Sequence, residues 1–285
     1  MSDGMPAAPG AVAVLPEDIP AEDTVDRGIP IRAITRGLAV LQELNRNRPM
    51  TMMEVARKTH LPYPTTCRIM QTLVHEGWVE REETHKRYRP TELVRSLAAG
   101  LTVRDELVEA SRPHLFEMGD SIKWPVSLCT KVGLNVMVKC TTHPLSPIAF
   151  NHYEPGYTLP ILESSAGKVL LAFAEPDEVA STIKAVESSV APFDESTLMK
   201  AKSGALFTEI RDKGFCSQIR NPHTNTLGAI SSIAVPILKK DQPIASLSMM
   251  FFSRAMSVTE AASTYLRPLQ KTARNIADAF SQDAT

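Results

Sequence analysis

The sequence predicts an α+β protein in two unequal parts: three helices and a short hairpin near the N-terminus, then an antiparallel sheet with helices packed against it. Three observations carry this expectation. Apolar residues recur at helical spacing from Leu38 to Val74, and the pattern changes to strand-like runs after Gly77. Beyond residue 122, β-rich apolar runs alternate with amphipathic helical ones. Charge is also segregated. The 285 residues sum to −1, yet residues 31–104 carry thirteen Lys and Arg against seven Glu, net +6. Residues 1–30 carry one Arg against six acids, and residues 105–285 seventeen basic against nineteen acidic groups. A basic block between acidic ones is the footprint of a nucleic-acid module joined to a non-basic domain, although a solvated surface can carry the same charge.

Composition narrows the class. At 43% hydrophobic and 22% charged residues, the chain reads as an ordinary globular protein, and its length suggests about two domains at roughly 150 residues each. No run approaches the ~20 apolar residues of a membrane span. The N-terminus lacks the basic start of a signal peptide, so a cytoplasmic protein without a membrane partner is expected. Cys67, Cys129, Cys140 and Cys216 form no C-x-x-C pair, which excludes a Cys-based zinc finger and argues against a disulfide scaffold. His143 and His152 belong to no H-x-x-x-H set, so neither a metal nor another cofactor is expected.

The elements follow in order. Residues 1–30, rich in Ala, Pro and acids, read as a disordered acidic tail. Leu38, Leu41 and Leu44 mark a first helix that Pro49 ends. Thr51 and Glu54 form a capping-box pair for a second helix over 51–59. A third helix runs from Pro64 to His75, with Gly77 closing it. Trp78–Arg81 and Arg87–Pro90 then flank Glu83-Thr84-His85-Lys86 as a hairpin. Three helices and a hairpin within about 60 residues describe a winged helix-turn-helix, placed at residues 31–92. Residues 93–112 read as a linker helix. Residues 113–283 hold strands at 126–129, 136–140, 229–238 and 244–252, and helices at 166–174, 176–187, 196–213 and 259–280. The last two strands are joined by a turn over Lys239–Gln242.

The third helix divides by face. With Thr66 at zero and 100° per residue, Ile69, Met70, Leu73, Val74 and Gly77 fall within about 80° of it and can pack inward. Pro64, Arg68, Gln71, Thr72 and His75 fall opposite. A recognition helix needs this division, with one face seated on its neighbours and the other in the major groove of double-stranded DNA. Pro64 and Thr65, after Tyr63, keep the helix start small enough for close approach. Arg68 suits a bidentate contact to guanine, Gln71 suits adenine or phosphate, and the Thr65 methyl suits a thymine methyl. Lys86, Arg87 and Arg89 on the wing suit phosphates or the minor groove. The bland alternative is an exposed amphipathic helix with incidental polar residues.

These residues resemble the IclR family of bacterial transcriptional regulators. The resemblance rests on Arg36-Gly37-Leu38 to Leu44, Glu54-Val55-Ala56, Leu61-Pro62-x-x-Thr65-Thr66-x-Arg68 to Leu73, and Glu76-Gly77-Trp78-Val79. In the second half, Leu159-Pro160, Ser164-Ser165-Ala166-Gly167-Lys168 and Leu171-Ala172 are similar to the family's effector-domain signature. Trp124-Pro125, Thr141-Thr142-His143, Ile233-Ala234-Val235-Pro236 and Ala255-Met256-Ser257 are most similar to activators of hydroxyphenylpropionate-type aromatic-acid catabolism. The resemblance implies a GAF-like effector domain, a homodimer or homotetramer, and a roughly palindromic operator with half-sites about 34 Å apart. It also implies a small-molecule effector, here an aromatic carboxylic acid, and contact with RNA polymerase if the protein is an activator. A repressor of the same class sensing another small acid is the alternative.

Carrying effector contacts over gives Ser165, Ala166, Gln218, Ser231, Ser248 and Met250. The family member with a known acid ligand has Gly, Asp, Cys and Ser where this chain has Ser165, Gln218, Ser231 and Met250, which argues against glyoxylate or pyruvate. Replacing Asp by Gln218 removes a charge that would repel a carboxylate. Physical reasoning supports the region independently, because a helix starting near Ser164–Gly167 directs free N–H groups at an anion. Arg220 reads equally as a carboxylate clamp or as an exposed loop arginine. Trp124 reads as a pocket wall or as plain core. Ser165-x-x-Lys168 also matches the S-x-x-K pair of penicillin-binding enzymes, but S-D-N and K-T-G are absent, so a hydrolase is the minor alternative and no enzyme is expected.

Overall fold

The computed structural model describes residues 31–47, 49–99, 105–146, 153–189, 194–220 and 229–282. The acidic tail expected at residues 1–30 and His152 lie outside the described residues.

The N-terminal half is built from α1 (Arg32–Arg46), β1 (Met50–Thr51), α2 (Met52–Thr59), α3 (Tyr63–His75), β2 (Val79–Arg81) and β3 (Arg87–Pro90). The capping box at α2 is formed: the Glu54 N–H donates to Thr51 Oγ1 at 3.3 Å, and the Thr51 N–H donates to Glu54 Oε2 at 2.7 Å. At the end of α3 the Trp78 N–H reaches the Leu73 carbonyl at 2.9 Å and the Gly77 N–H reaches that of Val74 at 3.1 Å. This double closure requires a left-handed residue, supplied by Gly77 at φ +77°. Val40, Leu44, Met50, Val55, Met70 and Val79 form the small core. The wing has a third strand that the sequence reading lacked. Met50 and Thr51 pair with Tyr88 and Arg87, so the sheet order is β1-β3-β2 and the wing is stitched to the start of α2.

A 3-10 helix (Glu92–Ala98) and α4 (Glu106–Ile122) follow. The expected boundary between linker and second domain, at residues 112 and 113, falls inside α4. Val108, Leu115 and Met118 of this helix are buried in the C-terminal core, so burial binds its whole length to that half.

The C-terminal half comprises β4 (Val126–Val132), β5 (Asn135–Thr141), β6 (Thr158–Pro160), α5 (Ser165–Phe173), α6 (Pro176–Glu187), α7 (Glu195–Lys202), α8 (Ala205–Lys213), β7 (Cys216–Gln218), β8 (Ile230–Lys239), β9 (Gln242–Phe252) and α9 (Val258–Gln282). The six strands form one antiparallel sheet in the order β6-β5-β4-β9-β8-β7. Strand alternation sends Leu128, Ile233, Val235, Leu247 and Met249 to one face, under α4 and α9. Cys129, Val136, Val138, Ile230, Ala234 and Met250 point to the other face, under α5 and its neighbours. Two expectations are corrected. The helix expected at 196–213 is split by Gly204 at φ +76° into α7 and α8. The β8–β9 turn is two residues rather than four. Lys239 pairs with Gln242, and Lys240 and Asp241 are both left-handed at φ 51° and 63°, the tight geometry that matches strand twist.

Candidate DNA-reading surface and ligand cavity

Helix α3 presents the two faces the sequence implied, with one correction. Thr66 and Met70 are fully buried, and Ile69 and Leu73 are half-buried against the core. Tyr63, Pro64, Arg68, Gln71 and Thr72 are exposed, and Thr65 is half-buried at the first turn. Val74 and Gly77, expected inward, are exposed, because the last turn of α3 runs past the edge of the small core. The Thr72 hydroxyl is engaged locally, donating to the Arg68 carbonyl at 3.0 Å.

The wing cations divide in use. Arg87 Nη1 donates to the Pro49 carbonyl at 2.7 Å and lies 3.9 Å from Glu54. Arg89 Nε donates to Glu80 Oε1 across the hairpin. Lys86 sits at the tip in the left-handed region, φ 53°, exposed and without an ion pair among the described residues. Structural contacts thus hold two of the three expected phosphate-binding groups, and the third projects freely.

The second site begins at the start of α5. The Ser164 hydroxyl caps the helix, accepting from the Gly167 N–H at 3.0 Å. A Cβ on Gly167 would meet the Ile161 carbonyl oxygen at 2.1 Å, so only glycine lets this helix start so close to the preceding turn. Between α5 and the sheet lies a cavity of about 30 Å³. Its polar lining is Ser127, Ser164, Ser165, Ser232 and Ser248, with Tyr153 and Cys129, and its apolar lining includes Val136, Val138, Leu159, Ile230 and Met250. Ser165 and Ser232 share a hydrogen bond of 2.7 Å, and Ser127 bonds Thr141 at 2.9 Å. Tyr153 stands edge-on to Tyr157, ring centroids 4.8 Å apart. Burial pushes the Cys129 thiol up to about 12 and leaves it protonated.

Of the expected effector residues, Ser165, Ala166, Ser248 and Met250 line this cavity. Ser231 does not. Neighbouring residues on a strand point to opposite faces, so Ser231 turns away, accepting from the Arg220 N–H at 3.2 Å and bonding Ser253 at 2.9 Å, while Ser232 faces the cavity. Arg220 is exposed at φ 47° and is absent from the cavity wall, which overturns its reading as the clamp. Trp124 packs across both cores, its ring 6.4 Å from Phe251, and is likewise absent from the wall. Gln218 stands beside the cavity, where its carbonyl accepts from Lys168 Nζ. Ser165 and Lys168 therefore have separate partners and do not form the nucleophile–base pair that S-x-x-K requires. Sequence reasoning missed Ser127, Tyr153 and Ser232, and named Ser164 only as part of the helix start. The alternation of Ile233, Val235 and Ile237 would have put Ser232 opposite to them.

Comparison with known proteins fits this arrangement. The profile of the IclR helix-turn-helix domain matches residues 33–83, and that of the bacterial transcriptional regulator IclR C-terminal domain matches residues 100–278. The chain belongs to the IclR family. Members of this family are DNA-binding transcriptional regulators, and the mixed α+β architecture of the IclR fold is the one described above. Among its relatives, the DNA-binding transcriptional repressor YiaJ of Escherichia coli is 23% identical over 253 residues, 87% of each chain. The crystal structure of an IclR family transcriptional regulator from Brucella abortus superposes with a TM-score of 0.60 at 22% identity, covering 89% of this chain and 94% of that one. An IclR homologue from Microbacterium hydrocarbonoxydans complexed with 4-hydroxybenzoate gives 0.56 at 20% identity, covering 88% and 99%. At such identities the structures speak for the IclR fold alone.

Proposed function

We propose that this regulator senses a small aromatic carboxylic acid in the cavity beneath α5 and controls genes for aromatic-compound degradation, as an activator that also engages RNA polymerase. The observation that carries the reading is the cavity itself: aliphatic walls for a ring, with serine hydroxyls supplied by the start of α5 (Ser164, Ser165) and by the sheet facing it (Ser127, Ser232, Ser248). A relative of the same fold complexed with 4-hydroxybenzoate supports the ligand class. The recognition surface is assigned to Tyr63, Pro64, Thr65, Arg68, Gln71 and Thr72, with Lys86 as the leading phosphate contact and Arg87 and Arg89 behind it. A homodimer or homotetramer would set two such helices in successive major grooves of a palindromic operator.

At about 30 Å³ the cavity holds water rather than a benzoate-sized ligand. Binding therefore requires the cavity to widen, and a ligand that favours the wide form shifts the protein between two states. Mobility-shift titration of the DNA upstream of the protein's own gene, with and without 4-hydroxybenzoate or 3-(3-hydroxyphenyl)propionate, tests the reading. The expected result is sequence-specific binding whose affinity or contact pattern changes with acid. Binding indifferent to sequence, or identical with and without every acid, overturns it.

A further inference from the structure

Lys168 is 8% exposed, on the second turn of α5. Its ammonium donates to Gln218 Oε1, a neutral acceptor, and no carboxylate pairs with it among the described residues. The nearby Cys216 thiol supplies no counter-charge either. Burial pushes that thiol up to about 11 against the pull of Lys168, so it remains protonated. An ammonium removed from water is ordinarily matched by an anion, because a neutral acceptor replaces only part of its lost hydration.

The location of this unmatched charge gives it meaning. Ser165 and Lys168 are three residues apart and lie on one side of α5, facing the sheet. Ser165 bonds Ser232, and Lys168 bonds Gln218. Ser232 and Gln218 are themselves cross-strand partners on β8 and β7, so their side chains stand next to each other on one sheet face. The two bonds thus form adjacent links between helix and sheet. The first is part of the cavity wall, and the second is its neighbour across the β7–β8 pair.

We propose that Lys168 is the receptor for the ligand's carboxylate, and that the Gln218 amide holds its place until the ligand displaces it. The assignment rests on reading the cavity as the effector site. It specifies an anion: the ring occupies the serine-lined space, and the carboxylate passes the Ser165–Ser232 link to reach the ammonium. A neutral isostere would leave the charge unmatched and would gain no advantage over Gln218.

Calorimetry with 4-hydroxybenzoate and 3-phenylpropionate, set against 4-hydroxybenzamide and 3-phenylpropionamide, tests this on the full-length protein. The acids are expected to bind at least tenfold more tightly than the amides. Gln218→Glu supplies an internal carboxylate, so it should raise Tm without ligand and weaken the acids at least tenfold. Lys168→Met should abolish the preference for acid over amide, and circular dichroism would verify that it folds. Amides binding as tightly as acids, or Gln218→Glu leaving acid affinity unchanged, overturns the assignment while the cavity remains the effector site. Binding of neither series overturns both.

Discussion

Ser165 and Ser232 share a 2.7 Å hydrogen bond between the first residue of α5 and strand β8, with both side chains almost fully buried. The two hydroxyls satisfy each other, so neither is left unpaired in the buried wall. Any molecule that widens the cavity must replace that bond with its own donors and acceptors.

Ser231 and Ser232 provide a test of the strand register. Ser232→Ala leaves the Ser165 hydroxyl unsatisfied, so stability should fall by about 1–3 kcal/mol in urea titration and acid affinity should fall with it. Ser231→Ala removes bonds to Ser253 and to the Arg220 N–H on the opposite face, so stability alone should fall. The reverse pattern would mean that β8 is turned over.

Arg46, at the end of α1, donates to Thr158 Oγ1 on the edge strand β6. The next residue, Leu159, lines the cavity. Burial pushes the neighbouring Tyr157 phenol up to about 12, with the Arg46 charge opposing the rise and that of Glu43 adding to it. Thr158→Val removes the acceptor from a residue outside the recognition set, and it is expected to change operator affinity severalfold, within the ~5–150-fold range of site-to-site coupling. In an Arg46→Ala background the same substitution should have no further effect. Gel-shift titration of the four proteins decides this, and independent, additive effects would show the contact to be uncoupled from DNA.

Arg68 and Lys86 separate base reading from phosphate holding. Arg68→Ala should reduce discrimination between operator and random duplex by about 1–3 kcal/mol. Lys86→Ala should weaken both duplexes alike and reduce the salt slope by about one. Fluorescence anisotropy at several salt concentrations separates the two. Equal losses on both duplexes for Arg68→Ala would remove it from the base-reading set.

Glu54 makes the winged half sensitive to acid. Its carboxyl lies below the ordinary 4.5 chiefly because it accepts from the Thr51 backbone N–H; partial burial opposes this, and the Thr51 hydroxyl and the charges of Arg87 and Arg57 add to the lowering. A depressed folded value means that the stabilisation is fully present above 4.5 and is lost as pH falls through the lower, folded value. Glu54→Gln should remove that part of the pH dependence. Thr51→Ala should cost about 0.5–2 kcal/mol at neutral pH. Far-ultraviolet melts between pH 3 and 7 measure both, and identical acid profiles for wild type and Glu54→Gln would refute the assignment.

Local signals made the N-terminal half legible. Thr51 with Glu54, Pro64 at a helix start and Gly77 at its end each act within a turn of chain, so sequence adjacency is spatial adjacency. The two-residue strand β1 had no such signal, since it exists only because Tyr88 and Arg87 return to pair with it. The cavity divided the same way. Ser165 and Ala166 were visible as a helix start, whereas Ser248 and Met250 came through the family resemblance. Tyr153 reaches the wall from a connection of no regular period, and Leu159 from a three-residue strand too short to show one. Arg220 was read from its guanidinium and its place two residues after Gln218, neither of which reveals which way a strand end faces.

The contact of Gly167 with the Ile161 carbonyl constrains what descent or engineering can alter. A methyl group at this position has nowhere to go, so the placing of the helix start that carries Ser164, Ser165 and Ala166 is common ground for any ligand. New preferences would have to be carved from the strands and from Ser164 and Ser165. A randomised library that spares position 167 should retain folded members, whereas one that includes it would spend most of its diversity on proteins whose chamber cannot assemble.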